Sequence, residues 1–402
     1  MTWNDESRMA TIQSLVESGS FVIDRSSFIT TGDKVFIDGH FYSDKPPAPA
    51  LLGAAVYAPL YMAGLRLHEG NSIAYFLITL LTVGTCWLFG TLAFFYALRF
   101  TGMDAEHGLL AGVALGLGTI FLTWSTTFNN HEFAAGFLAI GFLFLLKARY
   151  EQRVQQNLAI AGLFLSLAGA ADIPAGVFYM LFLLNVLRDP ALRKAAGFYL
   201  APLLLTIAPT LAINYMIHGS VMPVQIYRSY FDYPGSPWLG SPDLSGMSTN
   251  EWRFALLYGL QTLIGPRGFL LYNPLLFVSI WGLAREIRRK GTFFYEALCV
   301  AAGSCAVLLY YWRMTTNYGG WSYSIRWFVP LIPLLLFFFY PYLQHLNAKR
   351  PAFKALLGVS VVIAFVGALN PWSPITYSEI SFVANIKQFV EHLRHPVSMR
   401  PQ

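Results

Sequence analysis

Charge is scarce in this chain. Asp, Glu, Lys and Arg make up only 12% of its 402 residues, against roughly 25% in water-soluble domains. So few charges exclude an ordinary soluble surface. Cysteine is scarcer still: Cys86, Cys299 and Cys305 all fall inside apolar runs, with no Cys-x-x-Cys pair. That excludes a thiolate metal centre and disulfide redox chemistry, and reads the three as small buried hydrophobes. The phosphate-binding P-loop, the dinucleotide GxGxxG and the zinc-binding HExxH are absent, as are internal repeats. The net charge of +6 is not gathered into a basic and aromatic tract, so no nucleic-acid partner is expected. No basic region leads into an apolar stretch at the N-terminus, so no signal peptide is expected.

What the chain has in abundance is apolar surface. Hydrophobic residues are 55%, with 33 Phe and 10 Trp, and the mean hydropathy is +0.50. A span needs about 20 apolar residues. Ten stretches qualify as candidates: 72–98, 107–127, 133–150, 157–172, 174–187, 195–216, 268–284, 293–312, 327–346 and 355–370. The stretch 174–187 is short enough for a half-span. Alternate joints carry Arg99; Lys147, Arg149 and Arg153; Arg188, Arg193 and Lys194; Arg285, Arg288, Arg289 and Lys290; and Lys349, Arg350 and Lys354. Short basic loops stay in the cytoplasm. All five therefore face one side, and the segments 1–70, 128–132, the turn near Asp172, 217–266, 313–326 and the tail from 371 face the other.

The expected fold is an all-α polytopic membrane protein, a helical bundle of about ten spans. An outer loop over 1–70 should hold interfacial helices and a small hairpin. The expected divisions are 1–70 as an external loop, 71–371 as the transmembrane bundle with its external loop 217–266, and 372–402 as an external amphipathic tail. In the outer loop, Asp38-Gly39 separates Val35-Phe36-Ile37 from His40-Phe41-Tyr42, a hairpin signal because both turn residues need positive φ. Pro46-Pro47 forbids helix just before it. The stretch 48–66 is apolar, but if it spanned the bilayer every basic joint would swap sides. It is read as a helix in the outer interface, with Tyr57 and Tyr61 at the headgroup level.

The chemistry-bearing residues gather in the same loop. Asp5 and Glu6 precede Arg8, and Lys45 is held by prolines. A carboxylate takes a proton from a nucleophile, while Arg and Lys hold phosphate. A base beside a phosphate clamp suits sugar transfer from a phosphate-linked donor. The alternative is a plain helix N-terminus, with Asn4 as cap and the acid pair in the first turn.

The order DESRMA, SGSFV, GHFYSDKPP resembles the outer loop of the GT-C glycosyltransferases of the aminoarabinose-transferase and protein O-mannosyltransferase type. Those read roughly DE-x-R-Y-A and then Y-x-x-K-P-P. Asp5, Glu6, Arg8 and Ala10 match the first motif, with Met9 in place of Tyr. Tyr42, Lys45, Pro46 and Pro47 match the second. The resemblance implies a GT-C fold, with Asp5 at the acceptor and Arg8, Tyr42 and Lys45 on a polyprenyl phosphate. It also implies a second polar cluster in the next outer turn, here Asn130, His131 and Glu132, where the family's usual lone Asp is absent. GPRGFLLYNPLL and YGGWSYSIRWFVPLIPLL look like late outer-edge motifs of bacterial members. They make Arg267 and Arg326 further phosphate contacts, or snorkelling interfacial residues. Trp321, Tyr323 and Trp327 are either sugar-stacking rings or an aromatic belt. The family's first span precedes its DE motif, so the chain is expected to start just after such a span.

The resulting expectation is an inverting membrane glycosyltransferase of the inner membrane, multi-pass, with its site on the periplasmic or external face. Its partners are membrane lipid, a polyprenyl-phosphate sugar and an acceptor that is a lipid, glycan or protein. No cofactor beyond that donor is required; an Asp5 and Glu132 pair is the one place considered for a divalent metal, which no cluster demands. The rivals are an inactive scaffold or glycan-binding relative, and a transporter, which should carry ionisable residues near mid-membrane. The proline-rich 217–266 loop reads as a cover over the site. The tail carries Ile380, Val383, Ile386, Val390 and Leu393 as a helical stripe suited to the membrane surface.

Overall fold

Helix α1 (Trp3–Ser18) starts where Thr2 is extended, and the Asp5 carboxylate folds back on it. Asp5 Oδ2 accepts from the Thr2 backbone N–H at 3.1 Å and from its hydroxyl at 3.2 Å. The first turn is thus closed by Thr2 and Asp5 as a reciprocal capping pair, and Asn4 is not the cap. Gly19, at φ 66°, ends the helix by donating to the Leu15 carbonyl. The computed structural model describes residues 1–70, 72–241, 249–345, 351–373 and 378–394. The expected loop prolines and basic residues Pro242, Lys349 and Arg350 lie outside them.

The hairpin forms as the turn chemistry requires. Strands β1 (Lys34–Ile37) and β2 (His40–Ser43) pair antiparallel, with Val35 opposite Tyr42 and Ile37 opposite His40. Asp38 and Gly39 both have positive φ, the two-residue turn whose twist matches the strands. Val35 and Ile37 turn inward onto Val224 and Phe231. The Trp238 indole donates to the Gly32 carbonyl at 2.8 Å. The described part of the 217–266 segment therefore lies on the hairpin, as a cover would. Helix α2 (Pro47–Met62) begins at the second proline, where a missing N–H costs nothing. Its buried face packs on α1, so closely that a Cβ on Gly53 would stand 2.4 Å from Ile12. Tyr57 belongs to that face, not to a headgroup layer. It is fully buried. Its hydroxyl donates to Glu17 at 2.6 Å and accepts from the Leu67 N–H at 3.0 Å.

The bundle follows: α3 (Ile73–Thr101), α4 (Ala105–Leu117), α5 (Ile120–Trp124), α6 (Asn130–Tyr150), α7 (Val154–Ala171), α8 (Ile173–Arg188), α9 (Arg193–His218), α10 (Trp252–Ile264), α11 (Leu275–Arg289), α12 (Phe294–Met314), α13 (Arg326–Gln344), α14 (Pro351–Leu369) and α15 (Ser381–Arg394). Among the described residues, seven helices are long and apolar enough to cross a membrane: α3, α6, α7, α9, α12, α13 and α14. The other three predicted spans do not form apolar helices of that length. The run 107–127 breaks at Gly118 into α4 and α5, 174–187 is the short helix α8, and 268–284 becomes helical only after Pro274. Within the expected outer loop, 252–264 is helical as α10. Helix α13 is nearly all buried and forms the centre; α9 and α14 turn most of their surface outward. Helices α3 and α6 touch through small residues: a Cβ on Gly136 would stand 2.5 Å from the Cys86 carbonyl oxygen. Close backbone approach of this kind is how helices associate in lipid, where apolar burial supplies little drive.

The basic joints collect at one end. Arg149 meets Glu296 at 2.5 Å, and Arg188 lies over the Tyr295 ring at 3.2 Å. Tyr150 stacks on Phe100, Gln344 donates to the Thr101 carbonyl, and Tyr340 donates to Glu286. The ends of α3, α6, α8, α11 and α13 are therefore neighbours, as the alternation of charged joints requires. At the opposite end lie α1, the hairpin, the start of α6 and the end of α7. Helix α15 is amphipathic there. Val383, Ile386, Val390 and Leu393 are exposed, while buried Asn385 donates to the Asn370 and Val366 carbonyls and accepts from Ser373.

Candidate active site

The residues of the first motif fold onto the rest of this end because α1 runs between the hairpin exit and the start of α6. Arg8 is buried. Its Nη1 donates to the Asn4 carbonyl at 2.8 Å and to the Asn4 side chain, and its Nη2 donates to Asn130 Oδ1 at 2.5 Å. Burial works against the Arg8 charge and lowers its pKa, while the carboxylates of Asp44, Asp5, Asp33 and Asp172 support it. Asp5 is fully buried beside it. Burial pushes the Asp5 carboxyl up to about 6, against the Thr2 hydrogen bonds and the Arg8 charge that favour ionisation. Oδ2 is committed to Thr2, and Oδ1 has no hydrogen-bond partner among the described residues. Glu6 is half-buried on the same turn, and its pKa is also raised by burial.

The second motif arrives from β2. Ser43 Oγ lies 2.6 Å from Ser7 Oγ, and Ser7 donates to Asp44 at 3.3 Å, so the strand exit is stitched to α1. Lys45 Nζ stands between two carboxylates, 2.7 Å from Asp33 and 2.9 Å from Asp44. Arg8, Tyr42 and Lys45 line one cleft, closed on its far side by Asn214 of α9 and Val224. Asp33 and Asp44 are partners that the sequence does not single out, and Asn4, expected only as a cap, is a third.

The second polar cluster divides. Asn129, not Asn130 or His131, caps α6 and accepts from the Glu132 N–H. Asn130, His131 and Glu132 are then the first three helical residues, fanned about 100° apart. Asn130 points to Arg8. His131 Nδ1 lies 2.7 Å from Asp172 Oδ2, both buried. Glu132 leaves the group: its carboxylate is fully buried, and neither oxygen has a hydrogen-bond partner among the described residues. Asp172, at the end of α7, supplies the carboxylate that the Asn130 turn lacks. Its signal in sequence is a lone acid between two apolar runs.

The two late arginines also differ. Arg326 faces the polar centre. Its charge is within reach of Asp33, Arg8 and Asp5, and its guanidinium lies over the Trp372 ring at 4.8 Å. Arg267 is buried and donates to the Gly320 carbonyl at 2.7 Å, while Ser324 donates to the Arg267 carbonyl; these contacts hold its own loop. Of the three rings weighed for sugar stacking, only Trp321 is exposed. Tyr323 is buried and donates to the Ile363 carbonyl, and Trp327 is buried and stacked on Tyr311 at 4.7 Å. Neither ring is open to solvent. Among the described residues no group of three or more His, Cys, Asp or Glu is placed to hold a metal ion.

This arrangement of helices is an all-α polytopic membrane fold. The chain is similar to solved structures of an oligosaccharyltransferase from Archaeoglobus fulgidus. Against the apo form the identity is 14% with a TM-score of 0.50, covering 99% of this chain and 55% of that one. Against the complex with zinc and sulfate the values are 15% and 0.52, covering 93% and 50%. Against the archaeal oligosaccharyltransferase AglB in complex with an inhibitory peptide and a dolichol-phosphate they are 12% and 0.51, covering 96% and 52%. The chain spans about half the length of these proteins. No family model matches, and no curated protein matches. At such identity the likeness carries the fold alone.

Proposed function

We propose that this chain is a membrane glycosyltransferase that moves a sugar from a polyprenyl-phosphate donor to an acceptor hydroxyl, with inversion, at the outer face of the inner membrane. The observation that carries the reading is that Arg8 and Lys45, from separate stretches, line one cleft, with the Asp5 carboxylate buried beside Arg8. Asp5 is the base. Its free oxygen and raised pKa suit a carboxylate that collects a proton near neutrality. The acceptor oxygen forms a bond to the anomeric carbon as the bond from that carbon to the phosphate oxygen breaks. The acceptor's proton goes to Asp5, and the electron pair leaves with the polyprenyl phosphate. Arg8, Lys45 and Arg326 stabilise the charge that grows on that leaving group. Tyr42 orients the phosphate at the cleft wall, and Glu6 is the second acid on the first turn of α1. Asn130, His131 and Asp172 hold Arg8 in place. The reading needs no cofactor other than the donor lipid. The fold shared with oligosaccharyltransferases, one of them in complex with a dolichol-phosphate, supports it.

The test is transfer by purified protein in lipid nanodiscs, supplied with polyprenyl-phosphate hexoses and pentoses and a mixture of lipid, glycan and peptide acceptors. Sugar-dependent release of polyprenyl phosphate, lost in Asp5→Asn, is the expected result. Release that Asp5→Asn leaves unchanged removes Asp5 from the mechanism, and no release with any donor overturns the reading.

A further inference from the structure

Three side chains on three elements form a group made only of donors. Arg326 opens α13, Trp124 closes α5, and Trp372 follows α14. The Trp124 and Trp372 rings meet edge to face with centroids 4.9 Å apart, and the Arg326 guanidinium lies 4.8 Å from the centre of the Trp372 ring. Trp124 is fully buried. Arg326 Nε and Nη1, Trp124 Nε1 and Trp372 Nε1 are buried atoms, and none has a hydrogen-bond partner among the described residues. Indole and guanidinium nitrogens donate and cannot accept. Burying such donors without an acceptor is costly, so a cluster of them is built for a ligand that brings oxygen lone pairs and negative charge.

The cluster is held rigidly. Pro371, beside Trp372, accepts from the Tyr323 N–H at 2.8 Å, and Ser373, on its other side, bonds Asn385. Helix α5 is tied down by Thr123, which donates to the Ala364 carbonyl of α14 at 3.0 Å, and by Asn273, which accepts from the Ile120 N–H. The charges of Asp33, Arg8 and Asp5 act on Arg326, so the donors adjoin the polar centre.

The geometry points to an oxyanion subsite in which the two indole N–H groups of Trp124 and Trp372, together with Arg326, receive the phosphoryl oxygens of a polyprenyl phosphate. This rests on the proposed function and adds two binding residues to it. The indoles select for a phosphate already shed of its sugar, because that group carries more negative charge and one more free oxygen than the phosphodiester donor. The subsite is therefore where the spent lipid is held before it leaves.

Equilibrium binding of radiolabelled polyprenyl monophosphate to the full chain in nanodiscs tests it, with polyprenol and inorganic phosphate as the other probes. Wild-type protein should bind the monophosphate at least ten-fold more tightly than polyprenol, and inorganic phosphate at high concentration should compete. Trp372→Phe and Trp124→Phe should each weaken binding several-fold, and Arg326→Gln ten-fold or more, while Trp321→Phe at the exposed ring leaves it unchanged. If a variant fails to fold, the indole N–H resonances of 15N-tryptophan wild-type protein give the same answer, since two of them should shift on binding. Monophosphate binding that both Trp→Phe variants leave intact, or equal affinity for polyprenol, overturns the subsite and leaves the proposed transfer standing. No binding of the monophosphate by wild-type protein overturns both.

Discussion

Arg8 donates to Asn130 across 122 positions of sequence, at 2.5 Å, and so fixes the first helix against the start of α6. Both nitrogens of the Arg8 fork are used, one on Asn4 and one on Asn130. A lysine has a single point of charge and cannot span the two. Arg8→Lys should therefore lower transfer by 10- to 100-fold although the charge is kept. Asn130→Ala should lower it less and raise the KM for donor more than it lowers kcat. Steady-state kinetics with a lipid-linked sugar separates the two effects.

The Asp5 carboxyl titrates at about 6 because it is buried. Its base form is present above that pH, so transfer should rise with pH through an acid limb near 6. The sign for stability is opposite. The folded carboxyl keeps its proton while an unfolded one, with an ordinary pKa of 3.8, gives it up. Asp5 therefore makes the protein more stable at low pH, and that contribution is lost as pH rises from about 4 to 6. Asp5→Asn should abolish the limb and flatten this part of the stability profile, with transfer reduced at least 100-fold. A pH series of kcat/KM, with thermal melts beside it, checks both signs.

His131 and Asp172 face each other at 2.7 Å in a buried setting. Removing either leaves the other without its partner, and such losses are not additive. His131→Ala and Asp172→Asn should each cost about 2 kcal/mol of stability, and the double variant little more than either alone. Chemical denaturation of the three proteins gives the coupling.

The Trp238 indole, donating to Gly32 and meeting Trp3 edge to face, is the latch between the 217–241 segment and the outer loop. Trp238→Ala should raise the rate of proteolysis in that segment several-fold and weaken donor binding, with the spans unaffected. Limited proteolysis in nanodiscs, read by mass spectrometry, reports it.

Much of this was legible where the physics is local. The Asp38-Gly39 turn and the proline start of α2 follow from backbone preference, and the common end of the basic joints follows from charge. What was not legible depends on long-range geometry or on helix phase. In FNNHEF either asparagine can cap; that Asn129 does so turns Asn130 toward Arg8 and sends Glu132 away. Asp33 and Asp44 look like ordinary loop acids until the hairpin folds them around Lys45. Tyr57, Tyr323 and Trp327 read as belt residues because a buried ring with a hydrogen-bonded or stacked partner has the same letters as one at a lipid headgroup. Asp172 was visible only as a lone acid between two greasy runs.

The basic end of the bundle has a consequence for how the chain is threaded. Arg149 and Arg188 are bound to Glu296 and Tyr295, so besides the orientation signal expected of basic joints they are tertiary fasteners. Arg288 and Arg289 are exposed and carry only the expected orientation signal. Charge reversal at the second pair should leave the packing of the bundle intact, whereas reversal at the first should break the contacts to Glu296 and Tyr295 that hold it together. Biogenesis and folding of this protein can thus be uncoupled at neighbouring arginines on one surface.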